Sequence, residues 1–277
     1  MNRVVAVAAL LWPVCAALAS VQEATEETTY GLPLRGEEAE AFLRTAKVVG
    51  SKALGTGVTH ADRLTLTDGV RTCRAIRKTI NEFRPGATSL EGLGVVVDFE
   101  DSYRFEIAAY ELDKILGLDL VPPTVERTFD GRRGSLQMWV EGAKTEWDRA
   151  KKGPAPPDFE AWNAQIYKVR MLQGLAFDWD AQNTQNVLLD PTFRVYAVDF
   201  SRSFAAYDQP RNEKLLDHFS RAALESLKKL DRPTLEAKLG KWISPSQIGA
   251  LLKRRDRILA LAAQRVQEKG EAAVLYR

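Results

Sequence analysis

Cysteine and histidine are nearly absent: the chain of 277 residues has two of each, Cys15 and Cys73, His60 and His218. A disulfide scaffold needs more cysteines, and the two histidines lack the spacing of a zinc centre. A dominant charge is lacking as well. Lys and Arg number 39 against 37 Asp and Glu, a formal charge of +2, and no basic block is long enough to argue for nucleic acid or an anionic membrane surface. The densest basic cluster, "KRRDR" at Lys253 to Arg257, has helical spacing and reads as a solvated face and cap. There is no Gly-x-Ser-x-Gly elbow, no repeat and no heptad pattern. What remains has enough apolar content for one large domain or for two lobes around a cleft.

Long apolar runs are missing except at the start, where Arg3 precedes the stretch Val4 to Leu18 and "ALA" at Ala17 to Ala19 offers a small-residue cleavage site. This predicts a signal peptide over 1–19, a mature chain from Ser20 or Val21, and export to a periplasm, the exterior or a secretory lumen. The alternative is an uncleaved membrane anchor, for which the run is short. Val14 and Pro13 before Cys15 are too bulky for a lipid-attachment signal. After cleavage no stable membrane insertion is expected, and Cys73 is the only thiol left. Residues 20–35, acidic and without periodicity, read as a flexible lead-in.

Beyond them, "GEEAEAFLRTAKVV" from Gly36 looks helical. "RLTLT" then alternates with period two, Asp68-Gly69 signals a hairpin, and "VRTCRAIRKTI" resumes as a partner strand carrying Cys73 half-buried. "RPGATSLEGLG" reads as a Gly-containing linker. "SYRFEIAAYELDKILGL" sets Phe105, Ala108, Ala109, Leu112, Ile115 and Leu116 on one helical face, and Gly117 stops it. "VPPTVERTF" and "SLQMWVEG", joined through "DGRRG", are two more strands. After the Pro-rich "KKGPAPPD" a helix runs from Phe159 to Leu175, with Trp162, Ile166, Val169 and Leu172 as its stripe. Short strands follow at Val187 to Leu189 and Val195 to Val198, and everything past Asn212 is helical, with Ser244 a good N-cap. Strands first and helices second give an α+β chain: a small sheet lobe over 36–142, a larger helical lobe over 143–277, and a cleft between them for a ligand.

The polar residues around the short strands need a reason. Phosphoryl transfer requires a lysine on the phosphates, an acid to hold it, one or two magnesium ligands and a carboxylate at the nucleophile. Asn186 and Asp199 flank a tight strand pair and can converge on one Mg²⁺; alternatively they are a turn Asn and a capping Asp. Lys78 ends a strand, and Glu106 lies inside an apolar helix where an unpaired carboxylate is costly, so each is a candidate partner for the other. A solvated Lys and a Glu on the polar helix edge is the competing reading. "VGSKALGTGVT" offers Gly50, Gly55 and Gly57, whose amides can approach phosphates, although it is no Walker A loop. Met138 to Val140 suit a hinge whose backbone meets an adenine; a plain strand end is equally compatible. A paired-carboxylate hydrolase built on Asp178, Asp180 and Asp199 leaves Lys78 and Glu106 unexplained.

With these pieces in order, the stretches "EIAAYELDKILGLDLVPPTVERTFDGRRGSLQMWVEG" and "NTQNVLLD" followed by "VDFSRSF" resemble the atypical kinase superfamily of phosphoinositide 3/4-kinase-like catalytic domains, HipA-type kinases and secretory-pathway kinases. The likeness runs from about Val48 to Asp208. It implies a two-lobed protein-kinase-like fold and a Mg²⁺-dependent, ATP-using phosphotransferase, which the N-terminal signal would export. Lys78 and Glu106 then serve the phosphates, Asn186 and Asp199 the metal, and a hydroxyl acceptor is unspecified, a protein being favoured over a lipid. One departure stands out: the family's loop reads Asp-Arg with Asn five residues after the Asp, whereas Ala181 occupies that place, Asp180 is six before Asn186, and no Arg follows it. Either a bulge restores Asp180 as the base, or Asp178, five before Asn183, takes the role, or the chain is a pseudokinase that binds or scaffolds without turnover. Nucleotidyl transfer to a protein is a further enzymatic reading. Export bears on nucleotide supply, since a periplasm is not expected to hold ATP while a eukaryotic secretory lumen can.

Overall fold

Two apolar cores, one fed by period-two strands and the other by helical stripes, organise the chain. The computed structural model describes residues 30–54 and 61–277; the expected signal peptide, most of the lead-in, Gly55 and Gly57 lie outside the described residues.

The smaller core sits under a five-stranded antiparallel sheet in the order β1-β2-β3-β7-β6. Its strands are β1 (Lys47–Ala53), β2 (Asp62–Thr67), β3 (Thr72–Lys78), β6 (Thr124–Phe129) and β7 (Arg132–Met138). Alternation sends Leu64, Leu66, Cys73 and Ala75 to one face, where α1 (Gly36–Thr45) covers them with Phe42 and Leu43. The helix expected to continue through "KVV" stops at Thr45, because Lys47 onward pairs with β2 in register Lys47↔Thr67. Gly50, expected in a phosphate-approaching loop, is inside β1, beside a register shift between Val48 and Gly50. The Asp68-Gly69 turn forms as expected, with the Asp68 carboxylate accepting the N–H groups of Val70 at 2.9 Å and Arg71 at 2.7 Å.

Where a linker was expected, Asn81–Leu90 and Gly94–Ser102 form β4 and β5, a hairpin separate from the main sheet. Pro85 and Gly86 sit at a register shift between Arg84 and Ala87, so they mark a bulge and not a loop. α2 (Tyr103–Leu116) follows directly, capped by Ser102 and closed by Gly117 at φ 64°. Its predicted stripe is buried except for Ile115, which is partly so, and it packs into the larger core while its other contacts reach β6 and β7.

The larger core gathers α4 (Phe159–Ala176), α5 (Arg221–Lys229), α6 (Arg232–Leu239) and α7 (Pro245–Lys269) around the hairpin of β9 (Val187–Leu189) and β10 (Val195–Ala197). Ahead of α4 in the chain lie β8 (Lys144–Thr145), which pairs with β9, and the short α3 (Glu146–Lys152), and both pack on the larger core's hairpin. Ser244 and Gln247 complete a reciprocal capping box at the start of α7. α8 (Glu271–Val274) and a parallel pair, β11 (Phe219–Ser220) with β12 (Leu275–Tyr276), finish the chain. The "KRRDR" cluster is not all solvated: Arg254 is fully buried and donates to the carbonyls of Leu175 at 2.6 Å, Ala205 at 2.9 Å and Tyr207 at 2.5 Å. No helix among the described residues is long and apolar enough to cross a membrane.

Tyr30 to Arg35, the end of the expected flexible lead-in, is laid against the junction of the lobes. Gly31 and Glu141 exchange backbone hydrogen bonds at 2.9 and 2.7 Å, Leu34 enters the smaller core, and Arg35 donates to the Tyr196 hydroxyl at 3.1 Å.

Candidate active site

β3 places Lys78 on the face opposite Cys73 and Ala75, pointing away from the sheet's own core. β7 runs close beside it, in register Lys78↔Ser135. Gly134 is required there: a Cβ at that position would stand 2.4 Å from the Lys78 carbonyl oxygen. α2 brings Glu106 in its first turn, and the Lys78 ammonium meets Glu106 Oε1 at 2.5 Å and Asp199 Oδ1 at 2.6 Å. The other Glu106 oxygen accepts the N–H of Phe200 at 3.2 Å, so a single buried carboxylate fixes both the lysine and the segment after Asp199. The expected Lys78–Glu106 pair is present, and Asp199 joins it.

The electrostatics follow from burial. Desolvation alone would depress Lys78, but the carboxylates of Asp199 and Glu106 outweigh it and hold the ammonium charged. Lys78 draws Asp199 below the ordinary carboxylate range, whereas burial pushes Glu106 up against the opposing pull of Lys78. Lys78 and Glu106 are closed off, while the Asp199 side chain is 41% exposed.

Asn186 and Asp199 come together at one end of the β9–β10 hairpin. The register Ala197↔Val187 sets Val198 opposite Asn186, and the Val198 N–H donates to the Asn186 carbonyl at 3.0 Å. Asp199 then turns out of the strand at φ 65°, a left-handed conformation that Asp tolerates better than most residues. Asn186 is buried, its Oδ1 accepting from Asn183 at 3.4 Å and its Nδ2 without a protein partner. The Asn186 carboxamide oxygen, held only by that long contact, and the outward Asp199 carboxylate suit Mg²⁺, which takes oxygen ligands and keeps others from water and phosphate. Among the described residues no group of three or more His, Cys, Asp or Glu side chains forms a metal centre.

Between Asp178 and Asn186, where the spacing departs from the expected pattern, the chain is built of turns. Successive turns join Asp180 to Asn186: the Asn183 N–H donates to the Asp180 carbonyl at 2.8 Å and the Asn186 N–H to the Asn183 carbonyl at 3.0 Å. Asp178 is buried; one oxygen accepts the Asp180 N–H at 3.0 Å, the other has no partner, and burial raises its pKa well above the usual range. Asp180 is 31% exposed and stands 3.6 Å from Arg202 Nη1. Burial raises its pKa, an effect that Arg202 opposes and Asp199 reinforces.

At the expected hinge, the Met138 N–H donates to the Pro123 carbonyl at 2.8 Å and the Trp139 N–H to the Arg74 carbonyl at 3.0 Å. The Met138 N–H is therefore spent inside the sheet lobe, and Val140 is the hinge residue whose backbone has no backbone partner among the described residues. Arg202, Asp101 and Gly134 escaped the sequence reading. Only Gly134, the glycine inside a strand pattern, carried a local signal, that of close backbone approach.

A groove of about 650 Å³, lined in part by Phe83, Val97, Trp179, Ser203 and Tyr207, opens next to this loop.

No family model and no curated protein sequence matches the chain. Solved structures do. A Golgi casein kinase matches with a TM-score of 0.59 at 14% identity, over 86% of this chain and 78% of that one. A hydra Fam20 protein solved with sugar matches with a TM-score of 0.60 at 13% identity, over 88% of this chain and 93% of that one. Of the resemblances drawn from sequence, these fall among the secretory-pathway kinases. The mixed architecture, a sheet part followed by a helical part, is thus similar in fold to these kinase structures.

Proposed function

We propose that the protein is an exported, Mg²⁺-dependent, ATP-using phosphotransferase acting on a hydroxyl acceptor, a protein in preference to a lipid. The observation that carries this reading is the Lys78 ammonium held between Glu106 at 2.5 Å and Asp199 at 2.6 Å. The kinase-type neighbours at 13–14% identity agree with it at the level of fold.

Glu106 keeps Lys78 oriented and charged, ready to hold phosphate oxygens. Asn186 and Asp199 are the residues that would hold Mg²⁺, which supplies charge neutralisation on the phosphates. Val140 offers its backbone to the base of the nucleotide. Asp180, partly exposed beside the groove, accepts the proton of the acceptor hydroxyl as that oxygen attacks the terminal phosphorus of ATP and the bond from that phosphorus to the bridging oxygen breaks, releasing ADP. Asp178 is sealed in by the Asp180 N–H and is unsuited to this task. A groove with Phe83, Val97 and Tyr207 on its walls and no basic cluster suits a polypeptide better than a lipid headgroup. Export rests on the N-terminal segment 1–19, with an uncleaved anchor as its alternative.

The departure at Asp180 favours one competitor, a pseudokinase that binds nucleotide without turnover. Titration of the mature chain with ATP, with and without Mg²⁺, followed by its thermal midpoint, tests the nucleotide site. A Mg²⁺-dependent rise lost in Asp199→Ala is expected; no shift at millimolar ATP rejects both readings. Asp180→Ala then separates them: an enzyme loses turnover by about 10²-fold or more while keeping the ATP shift.

A further inference from the structure

The loop of Asp180 has no arginine of its own, and the fold brings one from elsewhere. Arg202 follows Asp199 by three residues. Its Nε donates to Asp101 Oδ2 at 2.8 Å, its Nη1 stands 3.6 Å from Asp180 Oδ2, and its carbonyl accepts the N–H of Trp179 at 3.1 Å. Asp101, at the end of β5, is buried, and the neighbouring Ser102 N–H donates to the Ser201 carbonyl at 2.8 Å. One guanidinium therefore joins three pieces: the strand leading into α2, the loop of Asp180, and the segment behind Asp199. Anchoring Nε on Asp101 fixes the plane of the guanidinium and so aims the remaining fork at Asp180, a direction that a freely rotating ammonium would not inherit from its first contact.

We infer that Arg202 is a positioning residue that holds the Asp180 carboxylate ionised and aimed at the acceptor, supplying from the far side of the site the guanidinium that the loop lacks. This rests on the phosphotransferase reading for its consequence, but not for its geometry. Without Arg202, Asp180 would face the negative charges of Asp199 and Asp101 with only the more distant Arg211 to offset them. The carboxylate would then take up a proton more readily and lose its fixed direction.

The test uses the full mature chain and its Arg202→Ala, Arg202→Lys and Arg202→Gln variants. Arg202→Gln keeps a donor for Asp101 and serves where the alanine variant fails to fold. Two readouts are taken: titration of the Asp180 carboxyl by carbon-13 NMR, and phosphotransfer to a generic protein acceptor such as casein across pH. The Asp180 carboxyl is expected to titrate at higher pH in the alanine and glutamine variants. The expected fall in kcat is about 10²-fold, with the acidic limb of its pH profile moved upward, ATP KM within about twofold, and only partial rescue by lysine. An unmoved Asp180 titration, or a kcat that falls only as far as ATP binding does, overturns the inference. If the wild-type chain transfers no phosphate yet its Asp180 titration moves in the variants, the phosphotransferase reading falls and the positioning role stands.

Discussion

Lys78 lies within hydrogen-bonding distance of two carboxylates and has almost no contact with solvent. Replacing it by Met leaves Glu106 buried and unpaired, a change that costs about 3 kcal/mol where one partner of a buried ion pair is lost. Chemical denaturation of Lys78→Met should show that loss, and the variant should lose phosphotransfer by about 10²-fold or more. Asp113 supports a prediction of a different kind. It is buried in α2, accepts the Leu120 N–H at 3.2 Å, and burial lifts its pKa from 3.8 to about 7. Between those values the folded state holds a proton that the unfolded chain has released, so stability falls as pH rises, by about 1.4 kcal/mol per pH unit from this group. Asp113→Asn should flatten that part of the stability profile, measured by urea unfolding at pH 4 to 7. Lys78, Glu106, Asn186 and Asp199 were readable in the sequence because each violates its surroundings: a carboxylate in an apolar helix, or a carboxamide and an acid beside three-residue strands. Arg202 and Asp101 violate nothing locally. Their meaning arises only when β5 and the loop after Asp199 meet.

At the scale of elements, helices with one apolar stripe were legible, and the β4–β5 hairpin was not. Most of β4 is solvent-exposed, so no burial pattern marks it as a strand, and Pro85-Gly86 imitates a loop. The long N-terminal helix was overread because "KVV" continues a helical texture, while pairing of Lys47 with Thr67 decides it as strand. β7 shows how narrow the tolerance is where elements meet. A methyl group at Gly134 collides with the backbone of Lys78, not with a side chain that can swing away. Gly134→Ala should therefore cost about 2 kcal/mol by overpacking, read by thermal unfolding. It should weaken ATP binding as well, whereas Gly131→Ala in the adjacent turn, strained by its φ of 74° but with open space around it, should lower stability without weakening ATP binding.

For the whole molecule, the N-terminal segment adds to the ties that Lys78, Arg202 and α2 already make between the sheet and the larger core. Tyr30 to Arg35 spans their junction, hydrogen-bonded to Glu141 at the hinge and to Tyr196 in β10. Glu141 is also held by Arg74 of β3, with Nε at 2.8 Å from its carboxylate. Two truncations separate the role of this strap from that of the residues before it. A chain beginning at Tyr30 should keep the midpoint of the mature protein. One beginning at Gly36 should melt about 5 °C lower, as a loss of roughly 2 kcal/mol implies for a domain of this size, and should bind ATP more weakly in calorimetry.

Cys73 is the only cysteine among the described residues; it is buried in β3, with its thiol pushed up by burial, on the same strand that ends in Lys78. A thiol reagent reaches it only when the sheet lobe opens. Once Cys15 is removed, the speed of its modification becomes an internal clock for that opening. Any ligand that grips Lys78 should slow the clock, so occupancy of the cleft is written into the chemistry of a sulfur atom that never touches it.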